Sequence, residues 1–116
     1  MNNKKVACVG SGVIGASWAI CFALKDLDVV VYDINDEVLS KAKTIIHDNL
    51  NILKENNVLD ETRLQEVENH IKLTTSMEEA VRGACFIQES APEHYDVKHQ
   101  VVKEIEKYCL DDAIIA

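Results

Sequence analysis

Two rhythms alternate along this chain. Short runs rich in apolar and β-branched residues occupy Lys5 to Val9, Asp28 to Tyr32, Ile71 to Thr74 and Cys85 to Gln88, and Ala113 to Ala116 opens a fifth. Between them apolar residues recur at three- and four-residue steps, the spacing that lines one face of a helix. Ile14, Trp18, Ala19, Phe22 and Ala23 mark such a face between Val13 and Lys25. Val38, Leu39, Ala42, Ile45, Ile46, Leu50 and Leu53 mark a longer one reaching about Glu55. Beyond Pro92, the stripe is Val97, Val101, Val102, Ile105 and Tyr108.

Boundary residues agree with this division. Asn35 or Asp36 is placed to cap the long helix, and Glu37 favours its first turn. Asn56-Asn57 breaks it, and a shorter helix carrying Leu64 and Val67 follows Asp60. Ser76 with Glu79 three residues on makes a capping box for a small helix that Gly83 ends. A strand that is apolar almost throughout, such as Asp28 to Tyr32, suits a parallel sheet covered on both faces. Strands alternating with helices predict an α/β fold with a doubly wound parallel sheet. The two helices before the third strand exceed what a crossover needs and are read as a helical hairpin projecting from the sheet.

One motif turns this pattern toward chemistry. Gly10-Ser11-Gly12-Val13-Ile14-Gly15 is a G-x-G-x-x-G that follows a strand and opens a helix, and Asp33 closes the second strand 18 residues after Gly15. In that context each glycine has a reason: Gly10 for the sharp turn, Gly12 for close approach of a pyrophosphate, Gly15 for packing of helix on sheet. Free N–H groups from Gly12 to Ile14 would face phosphates at the positive end of the helix dipole. Asp33 would accept hydrogen bonds from the adenosine ribose. A 2′-phosphate there would meet a carboxylate, and Ile34 supplies no cation, so NAD is favoured over NADP. FAD uses the same fingerprint. A methyltransferase is disfavoured, because Val9 rather than an acid precedes Gly10 and Ile14 breaks a G-x-G-x-G spacing.

Composition narrows the setting. The 116 residues make room for a single domain, 1–116, and 47% of them are hydrophobic, enough for a sizeable core. The formal net charge of −8 argues against nucleic acid, whose phosphates call for a basic face, yet leaves a locally bound pyrophosphate open. No apolar run approaches the roughly 20 residues of a membrane span, and no hydrophobic signal region precedes the first strand, so a cytoplasmic protein is expected. Cys8, Cys21, Cys85 and Cys109 show no metal-ligand spacing and are expected to be buried, reduced thiols; no metal site is expected.

Gly10 to Ala19 (G-S-G-V-I-G-A-S-W-A), Val31-Tyr32-Asp33-Ile34 and Ile87 to Glu93 (I-Q-E-S-A-P-E) together resemble the 3-hydroxyacyl-CoA dehydrogenase family, over essentially the whole chain. Ser17-Trp18-Ala19 and Gln88-Glu89 with Pro92-Glu93 look most like its lambda-crystallin and L-carnitine dehydrogenase branches. The resemblance implies oxidation of an L-3-hydroxy group to a ketone with NAD as hydride acceptor. The substrate would be a 3-hydroxyacyl-CoA, or a free 3-hydroxy acid such as L-carnitine or L-gulonate. It also implies cofactor contacts at Val13, Ile14, Asp33, Glu93 and Lys98. On residue type alone, Glu93 and Lys98 read equally well as a helix-start acid and a solvated lysine.

The resemblance carries two departures. The serine and lysine that hold CoA on the family's helical hairpin fall, by counting from Asp33, at Asn49 and Asn56, which fits a free hydroxy acid better. The family's catalytic serine, histidine, glutamate and asparagine would all fall beyond Ala116, so no catalytic residue is assigned. The chain is then expected to be an incomplete Rossmann domain lacking a C-terminal helical domain that completes the site and forms a homodimer. The alternative is a stand-alone NAD-binding or redox-sensing module without catalysis. His47, His70, His94 and His99 match no catalytic position, Trp18 is expected to pack between helix and sheet, and Asp60, Glu61, Glu66 and Glu68 are expected to form a solvated face.

Overall fold

Strands β1 (Lys5–Val9), β2 (Asp28–Tyr32), β3 (Ile71–Thr74), β4 (Phe86–Glu89) and β5 (Ile114–Ile115) build one sheet in the order β3-β2-β1-β4-β5, each neighbouring pair parallel. Helices α1 (Gly12–Leu24), α2 (Asp36–Glu55), α3 (Glu61–Asn69), α4 (Met77–Val81) and α5 (Tyr95–Tyr108) connect them. The computed structural model describes residues 4–10, 12–90, 95–108 and 113–116, without the side chains of 13 and 95–101. The doubly wound parallel sheet anticipated from the alternation of elements is the fold observed. β4 starts one residue later than the apolar run indicated, at Phe86 rather than Cys85, because its register pairs Phe86 with Val6 and Glu89 with Val9.

Alternation along the strands sorts their side chains onto two covered faces. Cys8, Val29 and Val31 meet Ala16, Ala19, Ile20 and Ala23 of α1, with Leu39, Ile46 and Leu50 of α2 and Leu64 and Val67 of α3 behind them. Ala7, Val9, Val30, Tyr32 and Ile87 meet Met77, Ala80 and Val81 of α4 and Ile105 of α5 on the other side. The hairpin of α2 and α3 is thus rooted in the first layer through Leu50, Leu59, Leu64 and Val67. No buried polar or charged residue interrupts either layer among the described residues.

The covered face of α1 differs from the stripe inferred above. Its inward line is Ala16, Ala19, Ile20 and Ala23, whereas Ile14 is 67% and Trp18 41% exposed. Alanines allow the helix to lie close to the sheet, and the bulkier side chains turn away from it. Trp18 packs on Phe22 of its own helix, ring centroids 5.6 Å apart, and Phe22 leans on Phe86 of β4 at 5.8 Å. The expected helix-to-sheet contact therefore runs through Phe22, not Trp18. The thiols need a similar correction. Cys8 is buried, and burial pushes its thiol up to about 12, but Cys21 and Cys85 are exposed. Cys21 lies on the outer side of α1 and Cys85 just before β4 begins. Cys109 lies outside the described residues.

Local polar contacts fix the helix ends. Asn35 caps α2, its side chain accepting the N–H groups of Glu37 and Val38, and Asp60 caps α3 by accepting from Arg63. Ser76 accepts the Glu79 N–H at α4. The return half of the expected capping box is replaced: the Glu79 carboxylate takes the Thr74 hydroxyl at 3.2 Å, and that hydroxyl takes the Ser76 N–H at 3.0 Å. Among the described residues, no helix is long and apolar enough to cross a membrane.

Candidate functional site

The strand order reverses direction at β1. The chain passes from β1 through α1 to β2 on one side, while β4 lies on the other and leads on to β5. Such a switch point opens a crevice beyond the carboxyl ends of the two central strands. Its walls are joined where Ser90 N–H donates to Val9 carbonyl at 2.7 Å.

Gly10 to Gly15 forms the bend over this crevice. Gly10 turns out of β1 with φ +97°, and its N–H donates to the Tyr32 carbonyl at 2.8 Å, tying the bend to the end of β2. Gly15 is buried beneath it. A Cβ on Gly15 would overlap the Gly10 carbonyl oxygen and lie 3.1 Å from its carbon. Gly12 faces the opposite condition: φ is +77° and nothing lies within 4 Å of where its Cβ would stand. The first turn of α1 carries no acidic side chain, whereas α2, α3 and α4 each begin with one or two. The positive end of the α1 dipole is therefore not offset locally. An anion approaching Gly12 would meet open space and helix-terminal amides, so the bend fits a diphosphate.

Asp33 follows β2 at the same edge and is half-buried. Its N–H donates to the Thr74 carbonyl at 3.3 Å, and its Oδ1 accepts the Asn35 N–H at 3.2 Å. The carboxylate thus stands at the carboxyl edge in a defined turn. Sequence reasoning had given Asn35 only the capping role. Its second contact arises because Asp33 to Asn35 folds as an Asx turn, a habit of aspartate two residues before a helix start that could have flagged it.

The remaining expected contacts are less fully visible. Ile14 stands exposed in the first turn of α1, next to Val13, whose side chain is not described. Glu93 lies outside the described residues, as does Ser11 of the bend. Lys98 belongs to α5, with its side chain outside the described set, and the same holds for His99; His94 is outside altogether.

Other polar clusters lie elsewhere. His47 Nδ1 is 2.7 Å from Glu68, in a cleft of about 390 Å³ between α2, α3 and β3 that is also lined by Lys43, Ile46 and Leu73. His70 caps α3 and pairs with Asp28 at 3.1 Å. His70 sits at the amino end of the sheet, just before β3 and beside the first residue of β2, and His47 lies midway along α2 against α3. The acidic residues after Asn57 are locally engaged: Asp60 as a cap, Glu61 with Lys54, Glu66 with Arg63 and Glu68 with His47. Among the described residues no group of three or more His, Cys, Asp or Glu side chains could hold a metal ion.

Sheet order, glycine bend and strand-end acid define a Rossmann-type dinucleotide-binding domain. Known proteins make the assignment more specific. Residues 5–116 match the family model of the 3-hydroxyacyl-CoA dehydrogenase NAD-binding domain. The L-carnitine dehydrogenase of Oceanobacillus iheyensis is 38% identical over 97% of the chain, and the human lambda-crystallin homolog 34% identical over 95%. The (S)-3-hydroxybutyryl-CoA dehydrogenase structure from Ralstonia eutropha superposes with a TM-score of 0.92 at 28% identity, over 98% of the chain. The chain belongs to the 3-hydroxyacyl-CoA dehydrogenase family and corresponds to its NAD-binding domain. It spans 35% and 34% of the length of the two curated relatives and 40% of the solved chain.

Proposed function

We propose that this chain, 1–116, holds NAD for an oxidoreductase that converts an L-3-hydroxy group to a ketone. The observation that carries it is the pair of opposed glycines: Gly15 is closed against Gly10, while Gly12 opens onto free space at the amino end of α1. Gly10, Gly12, Val13, Ile14 and Gly15 receive the diphosphate on backbone N–H groups, and Asp33 accepts from the adenosine ribose hydroxyls. Glu93 and Lys98 are assigned to the cofactor through family resemblance alone. The bound nicotinamide would supply the hydride acceptor; the protein supplies seat and orientation.

The preferred substrate class is a free 3-hydroxy acid such as L-carnitine or L-gulonate, rather than a CoA thioester. In support, the groove beside Asn49, about 280 Å³, is lined by Ser17, Ile20, Asn49, Ile52 and Leu53, none of them cationic. The name of the Oceanobacillus relative points the same way. A homodimer in the cytoplasm, completed by a helical domain, belongs to the same proposal and rests on the family.

Titration calorimetry of the chain with NAD and NADP tests it. NAD is expected to bind at least tenfold more tightly, and Asp33→Ala to erase most of that preference, since a 2′-phosphate then no longer meets a carboxylate. Equal discrimination before and after the substitution would remove Asp33 from the nucleotide site.

A further inference from the structure

β3 ends the sheet, so one of its two edges has no neighbouring strand. The first and last bonds of its ladder run from the Val29 N–H to the His70 carbonyl at 2.8 Å and from the Asp33 N–H to the Thr74 carbonyl at 3.3 Å. Even-numbered residues of this stretch therefore face β2, and alternation turns the N–H and C=O groups of Ile71 and Leu73 to the open edge. Such an edge is a template for another strand. The four residues of β3 hold no proline, and their register with β2 runs without a bulge. Ile71 and Leu73 are half-buried against the layer of α2 and α3. Lys72 is the one charged residue of the strand, exposed and without a salt bridge among the described residues. It shares a face of the sheet with Thr74, whose hydroxyl donates to the Glu79 carboxylate of α4 at 3.2 Å.

We propose that this edge joins two copies of the chain, their β3 strands pairing antiparallel about a twofold axis through Leu73. Two five-stranded sheets then become one. The position of the axis follows from the residues along the edge. On Leu73, it sets that residue against itself with two backbone hydrogen bonds and places Lys72 opposite Thr74 of the partner subunit. On Lys72, it would oppose two lysines, which is destabilising. A shift toward Ile71 sets the strand against the end of α3, which offers no extended backbone. Because Glu79 is held to Thr74, the Leu73 axis brings each Lys72 beside Glu79 of the partner subunit, giving two symmetric ion pairs between chains of net charge −8. The twofold axis consumes both β3 edges and stops the association at two copies. Strands of four residues bury less than the roughly 1,000 Å² of a durable interface, so the dimer is reversible. The pairing leaves the glycine bend untouched and needs no cofactor.

Sedimentation velocity on the chain from about 10 µM to about 1 mM, with amide exchange followed at both ends of that range, tests this. Sedimentation is expected to move from monomer to dimer, and the Leu73 amide to exchange at least about tenfold more slowly in the concentrated sample. Lys72 is exposed, so Lys72→Glu should leave the fold intact; it sets two acids against each other and should weaken dimerisation at least about tenfold. Leu73→Pro removes an N–H that β2 does not use and should abolish the dimer. A monomer at every concentration, or a Leu73 amide whose exchange ignores concentration, would overturn the pairing. So would a dimer as tight in Lys72→Glu as in the unaltered chain, which would place the contact on another surface, such as the exposed Ile14 and Trp18 side of α1.

Discussion

Two glycines three residues apart carry opposite burdens, and substituting each in turn separates folding from binding. Gly15 has no room for a Cβ because the Gly10 carbonyl fills the place. Gly15→Ala must push the bend off the helix, and a loss of at least about 2 kcal/mol in urea unfolding is expected, as for overpacking generally. Gly12 has the room but an unfavourable φ of +77°. Gly12→Ala is expected to lose only about 1 kcal/mol from backbone strain. Its NAD affinity should nonetheless fall more than tenfold, since the methyl stands where the diphosphate approaches. Equal stability losses in the two variants would contradict this division. Both positions were legible in the sequence, because the motif records a backbone requirement that each glycine meets locally. The exposure of Trp18 and Cys21 was not legible. Helix α1 is apolar nearly all round, so its periodicity could not say which side the sheet would take.

Among the elements, Arg63 adds a polar tie between α3 and the end of α1 to the apolar packing of Leu64 and Val67. Arg63 donates to the Leu24 carbonyl at 2.8 Å and to the Asp26 carboxylate at 2.7 Å, where Asp26 turns the chain with φ +62°. The hydrogen bond from Arg63, reinforced by its charge, holds the Asp26 carboxyl below the usual carboxylate range. Lys54 does the same for Glu61, which joins α2 to α3. Because these folded-state values are depressed, their stabilisation is fully present above the unfolded values of 3.8 and 4.5. It is lost as pH falls through the lower folded values. The melting temperature should therefore drop below about pH 4, and Asp26→Asn should lower it modestly at pH 7 while flattening the acid limb. Calorimetric scans from pH 7 to pH 3 would read this, and an unchanged acid limb in Asp26→Asn would refute it. Caps at Asn35, Asp60 and Ser76 were readable because capping chemistry is local. The Arg63 contact, spanning 37 residues to Asp26, was not.

For the molecule as a whole, two covered faces and a crevice at the strand switch make a seat for a nucleotide. Because NAD would bind only the folded chain, the melting temperature should climb with NAD concentration as mass action requires, and far less with NADP. The described histidines are engaged by carboxylates, His47 by Glu68 of α3 and His70 by Asp28 at the start of β2, and neither belongs to the bend. The purified chain is accordingly expected to form no NADH from L-carnitine, L-gulonate or 3-hydroxybutyryl-CoA, which absorbance at the NADH band would check. Measurable turnover would mean that a general base lies within these residues.

Element identities, helix caps and the glycine bend followed from the amino-acid sequence by itself, since each depends on a few neighbouring residues and on short-range sterics. The tertiary structure alone decided that β4 rather than β3 lies beside β1, opening the crevice next to Gly12. It also decided which side of α1 is covered, and that Asn35 steadies Asp33 while Ile34 is left facing water. These outcomes depend on packing between residues far apart in the chain, and no local preference encodes them.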